Sequence, residues 1–495
     1  MKTIEIGKIV STVSAPSFRR VAFILNPGVE VRFSDLVYIE RLNGTGFTAR
    51  VVGGMEDNPD ASPGRLQRIR AFGIEVPTRR AEEMPGLVRV VQAELLEEIV
   101  VENGQVRLLP PRSLPITGAS VYQAGADLIG KTFGFDPNAP IEIGKEERSG
   151  HPVQLPVEIL IRHMAILGRP GTGKSYTTGV VLEECVNRKV PIVIVDITGE
   201  AVQATNELSG VVLTPGAGGF TVRLAHLSST EIPDLAPNLS PDQKDLVIDA
   251  FENLQQQRGA GWDLPDLLAE IDRAGKAMGV EQVAKRAQRR LDYAIRTRRF
   301  IGQGVSWKNL FVKYSVVNIF AGPLPKRHAA LAVAAVCREL QHLRDQETIP
   351  PFVFILDEAH RFVPSGGEAA SSEVIANFLR IGRHLKIGTM IVSQSPSGIS
   401  REILILTNTR MIHALDGTDM HAVSGLLGDA PEELVNIIPT LPAGTAVLCG
   451  SQELVRHTCT VAVRKRRTTH GAPTPDLARE AQLWREKNLT DLPNK

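Results

Sequence analysis

The hydrophobic pattern changes character along the chain. From residue 1 to about 145 the apolar residues come in short runs rich in Val and Ile: KIVSTV, RVAFILN, LVYIERL, FTARVVGG and LVRVVQAELL. Turn formers such as NPG, NGTG and ENGQ separate them. This predicts regularly spaced short strands, and hence a small closed barrel or sandwich. Within that region, residues 104–152 (LLPPRSLPITG, GFDPNAPIEIG, SGHPVQLP) are rich in Pro and Gly and predict a wrapping linker rather than core. From 157 the runs become almost continuously apolar: VEILIRHMAIL predicts a strand, KSYTTGVVLEECVNRK a helix and VPIVIVDI a second strand. That is one βαβ unit of a buried parallel sheet. YSVVNIFAG, PFVFILDEAH, IGTMIVSQS and TRMIHAL continue the sheet, with helices such as KRHAALAVAAVCRELQHLRDQ between them. Between about 226 and 312 the strand signal gives way to three helical patterns, with Ser240 and Asp263 as N-caps. The fold class expected is α/β: residues 1–145 form the β-barrel with its linker, 146–465 an α/β domain with a helical insertion at about 226–312, and 466–495 a tail with one short helix.

A chain of 495 residues exceeds one ordinary core, which agrees with this division. The net charge of +1 excludes a global field for polyanions, so any nucleic-acid contact needs a local patch. Cys185, Cys337, Cys449 and Cys459 are scattered and form no CxxC pair, so neither a zinc site nor a disulfide framework is indicated. That points to a reducing, cytoplasmic compartment. The N-terminus lacks the apolar core of a signal peptide, and no run approaches the roughly 20 apolar residues of a membrane helix.

Between the first strand and helix of the βαβ unit stands GRPGTGKS, which fits G-x-x-x-x-G-K-[ST] at Gly168, Gly173, Lys174 and Ser175. Glycines let the backbone turn its N–H groups toward phosphate oxygens, and the helix that follows adds its positive end. Lys174 is expected to reach the β- and γ-phosphates of a nucleotide and Ser175 to ligate Mg²⁺. Gly168, Gly171, Thr172, Gly173, Lys174, Ser175 and Tyr176 are the candidate nucleotide-binding positions. A glycine turn can arise by chance, but this one falls between a strand and a helix, the context the motif requires.

FVFILDEAH puts Asp357 and Glu358 at the end of a buried strand. Asp357 is the candidate Mg²⁺ partner through water, and Glu358 the candidate base for the attacking water. A switch-type GTPase usually has D-x-x-G here. DEAH instead resembles motor ATPases, in which a further strand separates the phosphate-turn strand from the Asp strand. IGTMIVSQS is the candidate for it, with Gln394 as γ-phosphate sensor. FLRIGRHLKIG carries Arg380 and Arg383 three residues apart, on one helix face. Alone this is a solvated basic face, but its place before the sensor strand suits an arginine supplied to another subunit's phosphates. Arg162, twelve residues before Lys174, is a second candidate.

Taken together, IRHMAILGRPGTGKS, IVDITGEAV, FILDEAHRFVP, LRIGRHLKIGTMIVSQSPSGI and LPAGTAVLCG resemble the HerA group of the HerA–FtsK superfamily, in order along nearly the whole chain. The N-terminal region resembles that family's small barrel. The resemblance implies a RecA-like P-loop ATPase that hydrolyses ATP with Mg²⁺. It implies a homo-hexameric ring that moves double-stranded DNA through its centre. Lys174, Ser175, Asp357, Glu358 and Gln394 match residues acting within one subunit. Arg383 matches an arginine reaching the neighbouring site, and Arg162 a second phosphate-contacting arginine. Asp196 and Glu200 fall in DITGEA, where the family often has D-P-H-G-E-Y. The family implies a partner nuclease of the NurA type in DNA-end processing, or an effector in phage defence.

Candidate DNA contacts are Arg361, Arg401, Arg223 in TPGAGGFTVR, and the basic stretch KRAQRRLDYAIRTRR at 285–299, which is equally a solvated helix face. No aromatic interleaving suggests base stacking, so backbone contact without sequence readout is expected. Two other readings stay open: a secretion-type motor, against which the lack of a membrane segment counts, and an ATPase scaffold that assembles or gates a partner without moving DNA.

Overall fold

A computed structural model of the chain describes residues 2–11, 16–41, 45–57, 88–102, 105–136, 138–216, 219–367 and 369–469, with isolated positions beyond 478. They divide into two compact units. Unit 1 comprises Met1–Lys174, Gln394–Ser397 and Thr407–Lys465, and unit 2 comprises Ser175–Ser393, Gly398–Leu406 and Arg466–Lys495.

Unit 1 opens with β1 (Lys2–Val10), β2 (Arg20–Leu25), β3 (Leu36–Glu40), β4 (Gly46–Asp57), β5 (Val88–Glu102), β6 (Gln105–Leu109) and β7 (Ser120–Ala124). The order is β2-β1-β7-β3-β4-β5, and β5 pairs back onto β2. Six strands thus close into a barrel, which removes exposed sheet edges, while β6 extends β5 as a hairpin arm. Inward residues recur at every second position, as the pleat demands: Val21 and Phe23, Val37 and Ile39, Phe47, Ala49 and Val51, and Val91, Ala93 and Leu95.

Residues 104–152 do more than wrap. They supply β6, β7, which lies between β1 and β3, and β8 (Ile141–Glu146), and lead into its hairpin partner β9 (Pro152–Leu155). Pro152 opens an edge strand, where the missing N–H leaves no ladder bond unmade. The Pro and Gly residues of this segment punctuate short strands rather than exclude them.

The remaining strands are β10 (Met164–Leu167), β11 (Ile192–Asp196), β12 (Val211–Leu213), β13 (Val316–Phe320), β14 (Phe352–Leu356), β15 (Ile387–Ser393), β16 (Thr409–Ile412), β17 (Thr445–Cys449) and β18 (Cys459–Val463). In unit 1, β10 runs parallel to β16, and β16, β17, β18, β8 and β9 follow as antiparallel neighbours. In unit 2, β12-β13-β11-β14-β15 is wholly parallel. VEILIRHMAIL is not one strand. Glu158–Ile161 make a helical turn, His163 takes a left-handed backbone (φ +64°), and β10 begins only at Met164.

Between β12 and β13 lie the helices Pro241–Arg258, Leu264–Ala277 and Glu281–Arg296. Ser240 and Asp263 are the N-caps of the first two, as expected. The Ser240 N–H donates to Gln243 Oε1 (3.1 Å). Asp263 and Asp266 cap reciprocally, at 3.0 and 3.4 Å. Each such cap contributes about 1 kcal/mol. Of the helix expected in the tail, the described residues Arg479, Ala481, Gln482 and Trp484 are helical, and the rest lies outside the described residues. No helix among the described residues is long and apolar enough to cross a membrane.

A polar cluster ties the barrel to the β17–β18 connection. Arg50 of β4, 1% exposed, donates to the carbonyls of Thr458 (2.5 Å) and Asp429 (3.3 Å). Glu97 of β5 accepts from the Arg456 guanidinium (2.9 Å) and pairs with His457 Nε2 (3.0 Å), while His457 Nδ1 pairs with Asp429 (2.5 Å). Burial alone would depress the His457 pKa, but the two carboxylates outweigh it and raise it above the usual value. Burial likewise opposes ionisation of Asp429, yet the His457 and Thr458 hydrogen bonds bring its pKa down to about 2. A raised histidine pKa stabilises the fold fully below the unfolded value of about 6.5, and that contribution is lost as pH rises through the folded value. His457→Gln should therefore lower Tm by about 3 °C or more at pH 6. The deficit should shrink at pH 9 in thermal melts. A deficit equal at the two pH values contradicts the ion-pair account.

Candidate nucleotide site

The phosphate turn belongs to unit 1 up to Lys174. It leaves β10 at Leu167, whose carbonyl accepts from the His413 N–H (2.8 Å), while the Arg169 N–H donates to the Ala414 carbonyl (2.8 Å). Across the turn, Thr172 Oγ1 and Lys174 Nζ both donate to the Arg169 carbonyl, at 2.7 and 3.1 Å. The Gly444 N–H donates to the Thr172 carbonyl (2.9 Å). Gly173 has φ +109°, and a Cβ there would stand 3.0 Å from the Gly444 nitrogen, so both conformation and space require glycine. His413 is fully buried beside the turn. Burial, with the Lys174 charge adding to it, brings its pKa down to about 4, so it props the turn as a neutral ring. Also in unit 1, Arg162 is ion-paired with Glu453, and Gln394 is partly buried directly after β15.

Unit 2 takes over at Ser175, in the first turn of the Lys174–Asn187 helix. Ser175, Glu200 and Asp357 line one small cavity with Gly179 and Arg466. β11 and β14 are parallel neighbours, so Asp196 and Asp357 come at the same ends of adjacent strands. Asp196 is buried and already engaged: it accepts from the N–H groups of Gly199 (2.7 Å) and Ala201 (3.1 Å) and from Asn318 Nδ2 (3.3 Å). It shapes the 196–201 turn, from which Thr198 Oγ1 donates to Asp357 Oδ2 (3.3 Å). Burial pushes the Asp357 carboxyl up to about 8, and Glu358, Asp196 and Glu200 push it the same way.

Glu358 is buried and sits in the left-handed region (φ 49°, ψ 47°), a strain of order 1 kcal/mol for a residue with a Cβ. His360 Nδ1 lies 3.2 Å from Glu358 Oε2 and 3.2 Å from Ser393 Oγ, which ties the ends of β14 and β15. On the Ala370–Leu385 helix, Arg380 is ion-paired with Glu402, and Arg383 is exposed. Tyr176 OH accepts from the Arg466 N–H (2.8 Å).

Three features of unit 2 escaped the sequence reading. Thr198 is a single polar residue in a loop, with no pattern to flag it, and His360, though it closes the DEAH motif, was given no role. The third is a strap after β18. Glu183 Oε1 accepts from the N–H groups of Arg467 (2.6 Å) and Thr468 (2.7 Å), and Arg466 lies along the Lys174–Asn187 helix. Gly179 was its available signal. Glycine inside a helix costs about 1 kcal/mol, and here a Cβ would stand 2.5 Å from the Arg466 guanidinium carbon.

Residues 141–316 match the family model described as helicase HerA, central domain. Over 88% of its length the chain is also 25% identical to the DNA double-strand break repair helicase HerA of Pyrococcus furiosus, across 88% of that protein. The chain is therefore similar to HerA helicases over most of its length. A second HerA, from Sulfurisphaera tokodaii, is 23% identical over 85% of each chain. Among solved structures, VirB4 of Thermoanaerobacter pseudethanolicus overlays 67% of this chain and 98% of its own at a TM-score of 0.51 and 15% identity, a likeness of fold. With this similarity and the phosphate turn, the chain is a nucleotide-binding, ATP-hydrolysing enzyme of the helicase and translocase class.

The braced turn makes a direct prediction. Gly173→Ala should weaken binding of a fluorescent ADP analogue at least tenfold while far-UV circular dichroism stays unchanged. Wild-type affinity in the variant contradicts the assignment of this turn.

Proposed function

We propose that the chain is an ATP-driven translocase on double-stranded DNA, working as a homo-hexameric ring. A nuclease of the NurA type, or a defence effector, would act with it. The observation that carries this reading is the convergence of Ser175 and Asp357 on one cavity in a chain whose central segment matches HerA. The motor is the domain from 146 to 465, and the barrel of residues 1–145 is the docking surface for the partner.

The residue roles follow from the chemistry of each group. Backbone N–H groups around Gly168, Gly171, Thr172 and Gly173 hold phosphate oxygens, and Tyr176 follows on the helix that points its positive end at them. Lys174 neutralises the β- and γ-phosphates. Ser175 Oγ and, through water, Asp357 hold Mg²⁺. The donor set fits this ion. Asp357 ionises with difficulty among its acidic neighbours, and a divalent cation offsets that burden. Among the described residues no group of three or more His, Cys, Asp and Glu forms a self-contained metal site, so the ion would be shared with the nucleotide. When bound, Mg²⁺ supplies charge neutralisation of the phosphates. Glu358 accepts a proton from the attacking water, its carboxylate aimed by the left-handed backbone and His360. Gln394 senses the γ-phosphate from the residue after β15. Exposed Arg383 supplies a guanidinium to a neighbouring subunit's site, and Arg162 is a second phosphate-directed arginine.

ATP hydrolysis by the purified protein, with and without linear duplex DNA, tests the reading. Duplex should stimulate the rate. Glu358→Gln should lower it by about a hundredfold or more, as for loss of a general base. Arg383→Ala should cost at least as much, and mixing it with Glu358→Gln protein should restore part of the activity if sites are completed between subunits. A rate indifferent to DNA but changed by a co-purifying protein would favour an ATPase that gates a partner.

A further inference from the structure

Four surface cations of the helices between β12 and β13 are ion-paired. Arg258 pairs with Asp266 (2.8 Å), Arg273 with Glu270 (2.5 Å), Lys276 with Asp272 (2.6 Å) and Arg296 with Asp292 (2.7 Å). Before Arg296, the cations of the Glu281–Arg296 helix are left without such pairs. Lys285, Arg286 and Arg289 are exposed, and none has a carboxylate partner among the described residues. Arg290 donates only to neutral groups, the Asn238 carbonyl and Gln243 Oε1, so its charge also stays uncompensated.

The arrangement is costly for an isolated helix. Lys285 and Arg289, and Arg286 and Arg290, stand four residues apart, where like charges repel by a few tenths of a kcal/mol per pair. The opposite face, with Ala284, Ala287, Leu291, Ala294 and Ile295, is buried in the bundle, so the cations are held outward. Tyr293, 74% exposed, stands among them with its hydroxyl free to donate to an anion. From Lys285 to Tyr293 the row runs roughly 12 Å at the rise of an α-helix. A DNA duplex offers one phosphate charge per about 1.7 Å of axis over that length. A lipid-binding helix would instead turn a bulky apolar face outward, and here that face is inside.

We propose that the exposed face of the Glu281–Arg296 helix binds the phosphate backbone of duplex DNA without sequence preference, as a surface separate from the ATP site. The proposal rests on the reading that the protein acts on duplex DNA. Lys285, Arg286 and Arg289 provide the charge, and their flexible stems follow the backbone rather than read bases.

Fluorescence anisotropy of a labelled blunt duplex titrated with the full chain tests it, at several salt concentrations. Replacing Lys285, Arg286 and Arg289 together by Gln should weaken binding about tenfold or more. It should also flatten the slope of log affinity against log salt by roughly 2 to 3, as for three lost phosphate contacts. Replacing the paired Arg273 and Lys276 by Gln should change affinity less than twofold. If the wild type binds duplex and the triple variant matches it in affinity and slope, the surface is refuted while the DNA reading stands. If the wild type binds no duplex, the DNA reading fails and this surface with it. Binding to phosphatidylserine vesicles that the triple variant loses, with duplex binding intact, assigns the row to lipid and overturns the proposal. Should the triple variant melt early, Arg289→Gln alone should flatten the slope by about one.

Discussion

A carboxylate at the end of a buried parallel strand sets the terms for unit 2. Asp357 follows β14 beside the end of β11, so the parallel register brings Asp196 to the same edge. Glu200 and Glu358 add two more acids. Desolvation and like charge together oppose ionisation of the group that nucleotide chemistry needs ionised. The chain relieves part of this with its own hydrogen bonds: Asp196 is consumed by the backbone of the 196–201 turn, and Thr198 donates to Asp357. What remains is a buried carboxylate that these hydrogen bonds relieve only in part.

The surroundings hold that geometry firm. Glu358 keeps a left-handed backbone next to Asp357, and His360 joins it to Ser393 at the end of β15. The strap after β18 anchors on Glu183 and presses Arg466 against Gly179, in the second turn of the helix that begins with Lys174. In unit 1, the turn from Gly168 to Lys174 is cross-braced by the backbone at 413–414 and 444, strands brought from far along the chain. Within each unit these groups are held in place by the protein's own hydrogen bonds and packing.

Much of this was readable from the sequence because its causes are local. The phosphate turn, the Asp357–Glu358 pair, the two helix caps and the alternation of the barrel strands each lie within about ten residues. The segment 104–152 was misread because its Pro and Gly outweighed the short strand SVYQA, whose barrel position depends on pairing with β1 and β3. VEILIRHMAIL was misread because apolar continuity does not register a left-handed residue such as His163. The Glu97–His457–Asp429 cluster lay beyond local reading altogether, since Glu97 and His457 stand 360 positions apart. Arg466 against Gly179 had one local sign, a glycine inside a helix, and nothing in the sequence to say what approached it.

The central claim is that hydrolysis at this site moves duplex DNA. Displacement of a triplex-forming third strand from a linear duplex, followed by gel with the wild-type protein, tests it most directly. The account predicts displacement with ATP and Mg²⁺, none with a non-hydrolysable ATP analogue, and none with Glu358→Gln. Efficient hydrolysis of ATP in the presence of duplex, with the third strand left in place, would contradict it.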